Sequence, residues 1–211
     1  MKKLIILVEI FILIIFVIYL LIIKDNNAQS EDSISMKEAY NIACGAIHKE
    51  NPHALLYSMG SADSMYNPED KTAGKSGLRK YWNLHFAVPD TADHWIIMIR
   101  NKRIKDIIKV TGFSMDKTDF IDEMNSLINS KEALHIAKDE YNLKPGEGWA
   151  IGYHFLLNKI SGINIIVVVG RDTSDNFARI SINAKTKEVI DAVHKVTYDG
   201  VTYNWETFNK P

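Results

Sequence analysis

The stretch YWNLHFAVPDTADHWIIMIRNKRIKDIIKV, residues 81–110, decides how the chain is read. Trp82, Leu84, Phe86 and Val88 recur at every second position, which puts one apolar face on an extended strand. Pro89-Asp90 ends that strand, His94 to Arg100 supplies a second, and Asn101-Lys102 turns the chain into a third at Ile104 to Val110. Strands joined by such short turns pair antiparallel, because a parallel pair needs a crossover of a dozen or more residues.

Toward the N-terminus, Ser35-Met-Lys-Glu38 has the form of a capping box, and Met36, Ala39, Tyr40, Ala43 and Ile47 follow at helical spacing. This predicts a helix to about Lys49. Residues 57–80 are rich in Gly, Ser, Asp and Asn and are read as a long loop. Toward the C-terminus, Phe120, Met124, Leu127 and Ile128 predict a connecting helix, and a further helix begins at Asn129 or Ser130 with Ala133, Leu134, Ala137 and Tyr141 inward. Pro145 to Gly148 breaks it. Strands are expected at about 149–157, 164–170, 177–183 and 189–196, and Asp199-Gly200 marks a closing hairpin.

An internal repeat organises these elements. Lys37-Glu-Ala-Tyr-Asn-Ile-Ala43 matches Lys131-Glu-Ala-Leu-His-Ile-Ala137, and His85-Phe86 followed by Ile96-Ile97 matches His154-Phe155 followed by Ile165-Ile166 at the same spacing. The expected fold is α+β, with two repeated units, each a helix followed by antiparallel sheet, behind an N-terminal membrane helix. The boundaries are 1–24 for the anchor, 25–34 for a polar tether, 35–113 for the first unit with an insertion at 57–80, and 114–211 for the second unit with its connecting helix.

With its helix and a final hairpin like Arg179-Ile-Ser-Ile-Asn-Ala-Lys-Thr-Lys-Glu-Val-Ile190, the repeated unit resembles the PepSY-like and cystatin-like modules of bacterial envelope proteins. It also resembles the membrane-anchored cell-wall elongation regulators that carry two such modules. Lys187 stands where the last turn of these modules usually has glycine. The resemblance implies binding or inhibition of peptidases and other wall enzymes rather than catalysis.

Leu4 to Ile23 is an apolar run interrupted only by Glu9, long enough to cross a hydrocarbon core of about 30 Å. Lys2 and Lys3 precede it, which predicts a single-pass chain with a cytoplasmic N-terminus and an extracytoplasmic domain. A cleaved signal peptide is the competing reading. No cysteine follows the run to take a lipid, so a lipoprotein is not expected. The chain holds 25 Lys and Arg against 26 Asp and Glu, a balance that argues against a nucleic-acid partner. Its one cysteine, Cys44, rules out an internal disulfide and reads as a small buried side chain.

No complete catalytic motif is present. Gly74-Lys75-Ser76 lacks the earlier glycine of a phosphate-binding loop, no serine stands in G-x-S-x-G, and the histidines form no H-E-x-x-H, so no cofactor and no metal is expected. Asp63, Asn67 and Asp70 are read as solvated loop residues. The candidate binding residues are His85 and His154, matched in the repeat on the sheet face opposite Phe86 and Phe155, and the basic run Arg100, Lys102, Arg103 and Lys105 with Lys109. The function expected is a non-enzymatic, membrane-anchored binding module acting on a membrane-bound envelope protein, enzyme or peptide. An envelope hydrolase with a dispersed site and a structural subunit of a membrane assembly are the alternatives.

Overall fold

The computed structural model describes residues 32–63, 73–148, 150–198 and 203–210. Residues 34–211 form one compact unit, and residues 1–33 are a unit of their own. The elements run α1 (Met36–Glu50), β1 (Leu55–Ser61), β2 (Tyr81–Ala87), β3 (Asp93–Arg100), β4 (Arg103–Thr111), α2 (Ser130–Tyr141), β5 (His154–Ile160), β6 (Ile163–Arg171), β7 (Phe177–Asn183), β8 (Val189–Tyr198) and β9 (Tyr203–Thr207).

The helices start where the caps predict. Ser35 accepts from the Glu38 backbone N–H while the Glu38 carboxylate accepts from the Ser35 N–H, so the capping box is complete. Asn129 caps α2. The two N-termini meet: Ser130 Oγ donates to the Gly77 carbonyl and accepts from the Met36 N–H. A Cβ at Gly77, where φ is +74°, would lie 2.6 Å from the Lys131 nitrogen, so this junction requires glycine.

The expectation of two repeated helix-plus-sheet units is corrected by the strand pairing. All nine strands form one antiparallel sheet in the order β4-β3-β2-β1-β5-β6-β7-β8-β9. The seam is β1 against β5, with Ser58, Met59 and Gly60 opposite Asn158, Leu157 and Leu156. Separate units would each leave an open edge of unpaired N–H and C=O groups there, and joining the edges satisfies both. One main core follows, in which Phe86, Trp82, Phe155, Leu157, Ile166 and Ile180 pack with both helices.

Two further expectations change. The segment read as a loop at 57–80 contains most of β1, a strand that Gly60 and its serines concealed from an alternation test. The connecting helix is absent: a 3-10 turn at Lys117–Asp119 stands before Phe120, although Phe120, Met124, Leu127 and Ile128 are all buried as the spacing suggested. Asn67, Asp70, Trp149 and the Asp199-Gly200 turn lie outside the described residues. Lys187, in the turn between β7 and β8, has φ of 71°, the left-handed conformation that favours glycine.

The single-pass topology is corrected as well. Among the described residues no helix is long and apolar enough to cross a membrane. The helices α1 and α2 have 15 and 12 residues, about 23 and 18 Å at 1.5 Å per residue, against roughly 30 Å of hydrocarbon. The run at 4–23 and most of the proposed tether lie outside the described residues.

Candidate binding groove on the open face of the sheet

Both helices cover one face of the sheet, and period-two alternation sends the remaining side chains of β5 to β8 to the other. Phe155, Leu157, Ile166, Val168 and Ile180 point into the core. Leu156, Ile165, Val167 and Val169 therefore floor an open groove of about 820 Å³ on the far face. This volume lies within the range of small-molecule sites. Its apolar lining is partly exposed, with Leu156, Ile190 and Trp205 at 38%, 49% and 39%.

Ser61, Asp63 and His154 form a polar pole at one end of this groove. Arg79, fully buried, donates to Asp63 Oδ1 at 2.6 Å and to the carbonyls of Ala62 and Ile151. Asp63 Oδ2 lies 3.2 Å from His154 Nε2 and accepts from the Ile151 N–H. Burial alone would raise the Asp63 carboxyl. The hydrogen bond and charge of His154, followed by Arg79 and the Ile151 N–H, outweigh it and hold the group at about 2. His154 Nδ1 lies 3.2 Å from Ser61 Oγ, which in turn accepts from the Phe155 N–H.

Serine, histidine and aspartate in hydrogen-bonded order are the parts of a nucleophilic triad, but an acyl-transfer site also needs donors aimed at the developing oxyanion. Here the Phe155 N–H beside Ser61 is spent on Ser61 Oγ itself. Asp63 is also committed to a buried guanidinium rather than to orienting the imidazole alone. The cluster holds the loop ends at 61–63, 79 and 151–154 together and offers polar atoms to the groove.

Of the residues singled out from the sequence, His154 belongs to the groove. His85 lies on the same open face but lines a smaller hollow of about 300 Å³ that shares Leu156 and Asn158 with the groove. Its partner is His94, unnoticed in the sequence, with His85 Nε2 2.7 Å from His94 Nδ1 and His94 Nε2 2.8 Å from the Phe113 carbonyl. His94 is buried, and a Cβ on Gly112 would sit 2.5 Å from its ring, so the segment after β4 closes tightly over the pair. Tyr57 meets His85 edge-on and packs with Ala87, Met115 and Phe120.

The basic run does not form a site. Arg100 donates to the Trp82 carbonyl and to Asn83 Oδ1 and stacks over Tyr81, so it serves the sheet. Lys102 occupies a two-residue turn in which both φ angles are positive, and Arg103 and Lys105 point to solvent. Lys109 pairs with Asp93 and lies over Trp95. Cys44 is half-buried beside Tyr40 and His48, less enclosed than expected. Asp63, read from the sequence as a solvated loop residue, is instead paired with Arg79 and His154, while Arg79 and Ser61 were missed because nothing local distinguishes them; only the β1–β5 seam brings all three to His154.

The His85–His94 pair predicts a pH dependence. Burial, and then the charge of His94, lower the His85 pKa, so the unfolded chain binds a proton there more readily than the folded chain. The contribution of His85 to stability is full above about pH 6.5 and is lost as pH falls through its lower folded value. Denaturant midpoints are expected to drop between about pH 7 and pH 5, and His85→Gln should flatten that slope. An unchanged slope in the variant would assign the effect to other groups.

No protein-family model matches the chain, and no curated protein matches its sequence. A crystal structure of a protein from Clostridium difficile 630, assigned as a lipoprotein, is similar in fold with a TM-score of 0.52 at 13% identity. The match covers 74% of this chain and 92% of that one. At this identity the likeness concerns the fold alone. The single nine-stranded sheet, and the lack among the described residues of a helix able to cross a membrane, correct the description of this chain as a signal-anchored protein of PepSY-like or cystatin-like modules. Among the described residues no group of three or more His, Cys, Asp or Glu side chains could hold a metal.

Proposed function

We propose that the protein is a non-enzymatic, extracytoplasmic binding module of the cell envelope that regulates an envelope enzyme or peptidase, and that its working site is the groove on the open sheet face. One observation carries this reading. An apolar floor of Leu156, Ile165, Val167 and Val169 stands on the face that neither helix covers, bordered at one end by an ordered polar cluster. A contiguous apolar surface with convergent polar groups is the usual form of a ligand site. The envelope placement draws its support from the likeness to the lipoprotein-type neighbour.

The test is to place a charge on the floor. Val167 lies at the centre, opposite Leu156 on β5 and Ser181 on β7. Val167→Lys is expected to abolish the fluorescence gain of an apolar dye titrated into the purified protein. Because the side chain lies on the solvent face, the variant should keep its fold by circular dichroism. Dye binding unchanged in a folded variant would remove the groove as the site.

A further inference from the structure

Arg179 gives the groove a direction. Its guanidinium carbon lies 4.5 Å from the centroid of the Trp205 ring, and Lys195 Nζ lies 5.2 Å from the rings of both Phe177 and Trp205. All four residues line the groove. Among the described residues no carboxylate lies within ion-pair distance of Arg179. The register sets Val169 between His154 and Arg179, so the cation stands two strand spacings, about 10 Å, from the polar pole. Asp63 at that pole is already matched by Arg79, and Asp191 lines the groove one row further along, opposite Ser181.

We infer that the groove holds an acyl-chain amphiphile with an anionic headgroup. Its chain lies over Leu156, Val167 and Val169, and its head meets Arg179 and Lys195. The inference rests on the groove being the binding site. Two arguments choose this occupant. A cation at the end of an apolar trough complements a ligand that is apolar along its length and anionic at one end, and a guanidinium held against an indole can offer its N–H fork to a carboxylate or phosphate. A peptide laid across this face meets a second difficulty. The backbone groups of β5 to β8 are already paired with their neighbours, so a peptide would press its own amides against Leu156, Val167 and Val169 without partners. An acyl chain has no such groups.

The experiment uses cis-parinaric acid, its methyl ester, and an apolar peptide with a free C-terminus, each titrated against the wild type, Arg179→Gln and Val167→Lys. The acid is expected to bind the wild type about tenfold more tightly than the ester, consistent with one charge-assisted contact, and Arg179→Gln should bring the acid to the level of the ester. Val167→Lys should weaken both. Equal binding of acid and ester by the wild type, or a preference for the acid that survives Arg179→Gln, overturns the anionic head while leaving the groove as the site. Tighter binding of the peptide than of the acid overturns the acyl chain as occupant. Binding of neither amphiphile, or binding that ignores Val167→Lys, overturns the groove reading and this inference with it.

Discussion

Arg79→Met is expected to destabilise the domain by about 3–5 kcal/mol, the effect of removing one partner from a buried ion pair. The guanidinium is fully buried and carries bonds to Asp63, Ala62 and Ile151 across three separated chain segments. Its loss leaves the Asp63 carboxylate with His154 but without its buried guanidinium partner, and removes this donor from the carbonyls of Ala62, Ile151 and Tyr153. For a unit of this size that loss lowers the melting temperature by roughly 10 °C. The double variant Arg79→Met, Asp63→Asn should recover part of the loss, since the stranded charge is then removed too. A single variant that melts with the wild type would show that the pole does not hold the loop ends. The same cluster sets the acid limit. Asp63, at about 2 when folded and near 4 when unfolded, contributes stability that is complete above about pH 4 and is lost as pH falls toward the folded value.

Phe86→Ala is expected to cost about 3–5 kcal/mol, as for a core aromatic, and to leave a cavity beneath α1. Phe86 is 1% exposed and stacks on Tyr40 of that helix at 6.4 Å. Its neighbour His85 points to the other face, so His85→Ala removes no core volume. It does remove the hydrogen-bond partner of His94, which is buried, and should cost about 1–3 kcal/mol. Urea unfolding of both variants measures the contrast. Equal losses would mean that the two side chains do not face opposite ways, and the alternation of β2 would fail with them.

That alternation was legible in the sequence, and so were the helix starts. Ser35 with Glu38 and Asn129 before Ser130 act on backbone groups within three residues of themselves, so a local reading finds them. The face assigned to His85 and His154 also follows from a period that each strand carries alone. The basic run misled for a related reason: charge spacing in one strand does not reveal that Arg100 turns inward to Trp82 and Asn83. His94 went unnoticed because its partnership with His85 depends on the β2–β3 pairing placing Ala87 opposite His94 and on the chain after Gly112 folding back over both rings.

What the sequence determined by itself is therefore the set of elements that depend on near neighbours: two capped helices and most of the strands, with the apolar side of each. What only the tertiary structure decided is which strand edges meet. Every edge offers the same N–H and C=O groups, so the helix repeat, read alone, is compatible with two separate sheets. The choice falls on one sheet because pairing β1 with β5 satisfies both inner edges and merges the cores around Trp82 and Phe155. That same pairing carries Ser61 and Asp63 to His154 and leaves the far face of β5 to β8 open as a continuous apolar floor. The groove is thus a product of edge pairing, a long-range event with no local signature in the chain.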